Sequence, residues 1–258
     1  MPALKRLRKS QVPGSNREGA SRNSQVLTRL LDEVAAPLDE SGSLCQRLLA
    51  GSDGNLSLEQ RKSVEEIATG VAHSAQRLRD YVDFLLLEAG EFALSSRVHA
   101  LDEVIDHAVR LYMPAARARG LSLVVEPAVR PLPPVQADPA RVGQVLGNLI
   151  GNAIKFTDRG QITISTEPYD RSVAVHIVDT GIGIPAAQVT RLFEDFYQGE
   201  DADDRDPRGC GLGLTLSRRL VIRLGGDLWA SSTVGAGSKF SFTVPRTPGA
   251  AQTWLSPV

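Results

Sequence analysis

Asn148-Leu149-Ile150-Gly151-Asn152-Ala153-Ile154-Lys155-Phe156-Thr157 is the stretch from which the rest of the chain is read. Arg141 to Lys155 has helical spacing, with Val142, Val145, Leu146, Leu149 and Ile150 on one side. Asn148, Asn152 and Lys155 recur at steps of four and three, so they share a second, polar face. Two carboxamides and an ammonium suit a phosphate–metal site. Amide oxygens are hard ligands for Mg²⁺, and a lysine neutralises phosphate. Taken alone, the same pattern equally describes a solvated helix face.

Working outward, three more segments collect glycines and polar groups that a plain core does not need. Val178-Asp179-Thr180-Gly181-Ile182-Gly183-Ile184-Pro185 ends an apolar strand on an aspartate followed by Gly-x-Gly. A carboxylate there can accept a hydrogen bond from an exocyclic amine such as that of adenine, and glycines let backbone approach a ligand. Leu192-Phe193-Glu194-Asp195-Phe196-Tyr197-Gln198 leads into an acidic stretch with Glu200, Asp201, Asp203, Asp204 and Asp206, expected to form a mobile loop. Gly209-Cys210-Gly211-Leu212-Gly213-Leu214, with Arg208 beside it, opens a helix expected to run from about Leu212 to Arg223. Amide groups at such a helix start attract phosphate.

The remaining elements frame these four segments. Leu101 to Ala118 reads as an amphipathic helix and Leu121 to Val125 as a strand. Strands are also expected at Gln161–Thr166, at Ser172–Val178, around Leu228-Trp229 and at Phe240–Val244. Upstream, Leu27, Leu31, Val34, Leu38, Ser41, Cys45 and Leu48 form a heptad-like seam, and Pro37 inside the same helix should bend it. Turn formers at residues 50–55 are followed by a capping box, Ser57 with Gln60, and a second seam of Val64, Ile67, Val71, Ser74, Leu78, Tyr81 and Leu85 that ends near Ala89-Gly90. Two such arms bury little alone. The expected fold is therefore α+β: a helical hairpin that dimerises into a four-helix bundle, then an α/β sandwich. The expected boundaries are a disordered basic tail at 1–23, the hairpin at 24–90, the sandwich at 91–246 and a flexible tail at 247–258.

Composition narrows the functions this fold can serve. Lys and Arg number 29 against 30 Asp and Glu, for a net charge of −1, so no global field draws the chain onto nucleic acid or an anionic membrane. No apolar run approaches a membrane span, and the basic residues near the N-terminus precede no apolar signal core. Cys45 and Cys210 stand far apart with no C-x-x-C spacing, which points to a reducing compartment and a cytoplasmic protein. The 258 residues are expected to leave no room for a sensor or receiver domain beside the two units.

The four segments, in this order, resemble the N, G1, F and G2 boxes of the ATP-binding domain of sensor histidine kinases. The hairpin resembles their dimerisation and phosphoacceptor domain. The resemblance covers about Val26 to Val244 and implies ATP and Mg²⁺ as cofactors. By the same resemblance, Asn152 holds the metal with support from Asn148, Lys155 contacts phosphate and Phe156 lines the adenine pocket. Asp179 takes the adenine amine between Gly181 and Gly183. Arg208, Gly209, Gly211, Leu212 and Gly213 close over the phosphates, with Cys210 replacing the usual small hydroxyl residue. The family's acceptor segment, His-Glu-x-x-Thr-Pro-Leu, is matched by Asp32-Glu33-Val34-Ala35-Ala36-Pro37-Leu38. Glu33, Pro37 and Leu38 fit. Asp32 stands where the histidine belongs, and Ala36 where the threonine belongs.

An imidazole nitrogen is nucleophilic near neutral pH; a carboxylate accepts phosphoryl groups in an acidic, Mg²⁺-bound pocket that Glu33 alone does not supply. The chain is thus expected to bind Mg-ATP without making phosphohistidine at the usual position. It would act as a dimeric regulator of a response regulator or partner kinase. The alternatives are phosphotransfer to another residue or to a partner's histidine, and an ATP-binding scaffold without phosphotransfer. His73, His99, His107 and His176 are weaker acceptor candidates. An ATPase chaperone or DNA-repair relative is disfavoured, since Asn148 stands where such enzymes place a glutamate base.

Overall fold

The computed structural model describes residues 15–52, 54–128, 130–197 and 211–247. The chain divides into two compact units, one ending at Phe92 and one beginning at Ala93.

The first unit is a helical hairpin of α1 (Ser15–Leu49) and α2 (Leu58–Glu88). Helix α1 begins at Ser15, inside the segment expected to be a disordered tail. Past Pro13 that segment holds no proline and includes Arg17, Glu18, Ala20 and Arg22, all good helix formers. The helix continues through Pro37. The Ser57–Gln60 capping box is formed in both directions, at 3.2 and 2.9 Å. At the other end of α2, Gly90 takes a φ of 72° while the Glu91 and Gly90 N–H groups donate to Leu86 and Leu87, closing the last turn. An Arg79–Asp39 ion pair at 3.3 Å links the arms.

The seams differ from the expected ones by one residue in places. Between the arms lie Leu31, Ala35, Leu38, Gly42 and Cys45 of α1, facing Val64, Ala68, Val71, Ala75, Leu78 and Val82 of α2. Val34 and Ser41, expected in the seam, are exposed, as are Ile67, Ser74, Tyr81 and Leu85. Each arm carries two adjacent stripes. The small residues Ala35, Gly42, Ala68 and Ala75 admit the closer approach, so they take the inside.

The second unit is an α/β sandwich. A five-stranded mixed sheet has the order β2 (Ser122–Val125), β4 (Gln161–Pro168), β5 (Ser172–Asp179), β7 (Gly237–Pro245) and β6 (Leu228–Thr233). Only β2 and β4 are parallel; the other neighbours are antiparallel. Three helices, α3 (Leu101–Ala118), α4 (Pro139–Phe156) and α6 (Gly213–Arg223), form the second layer, with α4 between the other two. A short α5 (Ala186–Val189) follows β5. A two-stranded ribbon pairs β1 (Arg97–His99) with β3 (Val135–Ala137). Neither ribbon strand was expected, and β4, β6 and β7 are longer than expected.

The core lies between the layers: Val142, Val145, Leu146, Leu149 and Ile150 of α4 against Ile162, Ile164, Val173, Val175, Ile177 and Phe242 of the sheet. Asp138 starts α4 as an N-cap for Ala140 and Arg141, with Pro139 in the first turn. No helix among the described residues is long and apolar enough to cross a membrane. Cys45 is a buried free thiol, and Cys210 lies outside the described residues.

Candidate nucleotide site

The site gathers where the C-terminal half of α4, the turn after β5 and the first turn of α6 converge. Core packing of α4 leaves Asn148, Asn152 and Lys155 half-buried on the face turned away from Leu149 and Ile150. The Lys155 ammonium lies 4.7 Å from the centroid of the Phe156 ring. Among the described residues the Asn152 carboxamide has no hydrogen-bond partner; its oxygen is the kind of hard donor that a divalent cation takes.

Asn148 is placed differently from its neighbour. Its Nδ2 donates to Ser217 Oγ on α6 at 2.9 Å. The side chain that the resemblance paired with the metal ligand thus also ties α4 to α6.

Asp179 closes β5 and is 4% exposed. Its Oδ1 accepts both nearby backbone N–H groups, from Gly181 at 2.8 Å and from Ser238 at 3.3 Å. Oδ2 takes neither, and so remains an acceptor for an amine. Burial pushes this carboxyl above the ordinary carboxylate range, while the Gly181 and Ser238 N–H groups pull it back. The two glycines of the turn are there for the chain itself. A Cβ on Gly181 would lie 2.3 Å from the Phe156 carbonyl oxygen, and one on Gly183, whose φ is 70°, 2.0 Å from that of Thr233. Both close approaches lock the turn against α4 and β6, and so hold Asp179 beside Phe156.

Several contributors had escaped the sequence reading. Ser238 reaches Asp179 through the β5–β7 register, a pairing that no local pattern encodes. Thr157 follows Phe156 with its hydroxyl buried and without a partner among the described residues. Arg119 donates to the Ile154 and Lys155 carbonyls, at 2.8 and 3.2 Å, and fastens the end of α4. Thr215 of α6 donates to the Glu194 carbonyl at 2.9 Å, and Arg219 pairs with Asp195 at 2.8 Å, so the 193–197 segment is strapped to α6.

Arg208, Gly209 and the acidic stretch after Tyr197 lie outside the described residues. Gly211 and the buried Leu212 lead into Gly213, where α6 begins without a side-chain cap. Asp32 falls within α1, its side chain outside the described residues, and Glu33 is exposed. His73 and His107 are exposed; His176 is buried on the sheet, 2.8 Å from Ser241 Oγ.

The donor set fits a Mg-nucleotide. Among the described residues no cluster of three His, Cys, Asp or Glu side chains could cage a metal ion. Mg²⁺ bound mainly through phosphate oxygens needs only one or two protein oxygens, which Asn152 can provide.

Residues 137–248 match the family described as histidine kinase-, DNA gyrase B- and HSP90-like ATPase. The autoinducer 2 sensor kinase/phosphatase LuxQ of Vibrio cholerae is 34% identical over 232 residues, 88% of this chain and 27% of the relative. The sensor histidine kinase RcsC of Escherichia coli is 35% identical over 209 residues, 76% of this chain and 22% of the relative. The chain thus spans about a quarter of the length of these curated relatives. Among solved structures, full-length ShkA in complex with AMPPNP matches with a TM-score of 0.68 at 28% identity, over 88% of this chain and 47% of that one. The nucleotide-free catalytic domain of the histidine kinase ThkA matches with a TM-score of 0.52 at 29% identity, over 60% of this chain and 99% of that one.

Proposed function

Because this chain carries the ATP-binding core of the sensor histidine kinases, we propose that it binds Mg-ATP without phosphorylating itself at the usual helix position. It then acts as a dimeric cytoplasmic regulator of a response regulator or of a partner kinase. The observation that carries the nucleotide assignment is Asp179: a buried carboxylate with one oxygen taken by two backbone N–H groups and the other left for the adenine amine. Asn152 supplies an oxygen to Mg²⁺, Lys155 faces phosphate, Phe156 lines the base pocket, and the first turn of α6 at Gly211, Leu212 and Gly213 offers its amides to the phosphates. Mg²⁺, when bound, neutralises the phosphate charge that these groups only partly cover.

Support for the regulatory role comes from the acceptor segment, where Asp32 replaces the imidazole nucleophile. Support for the dimer comes from the outer stripes of the hairpin, where Ile67, Tyr81 and Leu85 are 56%, 41% and 44% exposed at helical spacing. A second hairpin covering those stripes would complete a four-helix bundle.

Incubation with γ-labelled ATP tests the missing acceptor. The wild-type protein should acquire no acid-labile label, and Asp32→His should acquire one. Acid-labile, base-stable label on the wild type would overturn the assignment.

A further inference from the structure

Ser217 belongs to none of the four segments that frame the nucleotide site, yet it is 3% exposed and bonded to Asn148. Gly213 stands one turn before it on the same face of α6. A Cβ at Gly213 would lie 2.5 Å from Asn148 Oδ1 and 3.2 Å from both Cγ and Nδ2. The Asn148 carboxamide therefore lies across the first turn of α6, its oxygen against Gly213 and its nitrogen bonded to Ser217. The nitrogen end is hydrogen-bonded and the oxygen end packs against the Gly213 backbone, and only a residue without a side chain at 213 permits the fit.

This contact joins two surfaces that a triphosphate must touch together. Asn148 shares its helix face with Asn152 and Lys155, and Gly213 opens the helix whose first-turn amides would meet the phosphates under the reading above. We propose that Ser217 is a positioning residue for the phosphate end of the nucleotide. Through Asn148 it sets the spacing between the Asn152–Lys155 face of α4 and the first turn of α6. The proposal rests on Mg-ATP being the ligand, as argued above. Asn148 acts in it as a spacer between helices rather than as support for the metal. The adenine end is held separately, by Asp179 and the turn locked against Phe156 and Thr233, and does not depend on this bond.

The two ends give the experiment its contrast. Affinities for Mg-AMPPNP and for adenosine are measured for the full chain, for Ser217→Ala, for Asn148→Ala and for the double variant. Removing one hydrogen bond is expected to weaken Mg-AMPPNP about tenfold in either single variant. Adenosine binding should be unchanged, and the double variant should lose no more than the worse single one. A purely structural role for the bond would lower both affinities together, along with thermal stability, and that result overturns the proposal. So do single variants that bind Mg-AMPPNP as the wild type does, or losses that simply add. Asn148→Ala leaves Ser217 in place and keeps the test decisive if Ser217→Ala does not fold. Failure of the wild type to bind Mg-AMPPNP would instead count against the nucleotide assignment itself.

Discussion

Asp179 carries two demands that pull in opposite directions. Its burial raises the carboxyl pKa, so in the folded state the proton is held more tightly than in the unfolded chain. That contribution to stability is present below the ordinary carboxylate range and is lost as pH rises through the folded-state value. At neutral pH the ionised group therefore costs stability. Asp179→Asn keeps an oxygen for the Gly181 and Ser238 N–H groups but turns an NH₂ toward the adenine amine. It should raise the melting temperature at pH 7, with the gain shrinking as pH falls into the carboxyl range. Over the same comparison, calorimetry should show nucleotide affinity about 10- to 100-fold lower, the loss of a charge-assisted hydrogen bond. A variant that loses both stability and binding would mean that the carboxylate is structural. Asp179 was legible because a strand-terminal Asp before Gly-x-Gly is a local signal. Ser238 and Ser217 were not, because each reaches the site across 59 or 69 residues of chain through pairing of distant elements.

At the scale of elements, the ends of helices were easier to read than their inward faces. The capping box of α2 depends on residues three apart, and Gly90 closes the same helix, so both were visible in the chain. Ser57→Ala should remove one bond of that box and destabilise the hairpin by about 1 kcal/mol, seen as a lower midpoint in thermal or urea unfolding. No change would mean that the start of α2 is held by other contacts. The inward face was harder. Two adjacent stripes with steps of three and four both read as seams, and hydrophobicity alone favoured Ile67, Tyr81 and Leu85 over Ala68, Ala75 and Val82. Close packing decided for the smaller set. Strands β1 and β3, of three residues each, escaped because so short a segment holds no alternation, and its pairing is set across about 40 residues of intervening chain.

For the whole molecule, the outer stripes of the hairpin are the surface on which the proposed dimer would form. Ile67→Asp combined with Leu85→Asp places like charges on both hairpins where they would meet. Sedimentation equilibrium should then show a monomer, with nucleotide affinity unchanged because the site lies wholly within the residues after Ala93. A dimer surviving both substitutions would place the interface elsewhere. Helix order and the α+β class were legible because each rests on local periodicity or turn chemistry. Sheet order was not, since β5 pairs with β7 across α5, the 193–197 segment, α6 and β6. The domain is proposed to hold Mg-ATP although its own hairpin carries Asp32 instead of an acceptor histidine. Isothermal titration of the intact chain with a non-hydrolysable ATP analogue and Mg²⁺ tests it most directly. Saturable binding at a single site in each protomer, weakened when Mg²⁺ is removed, is the result predicted here. A flat titration, with or without Mg²⁺, would contradict it.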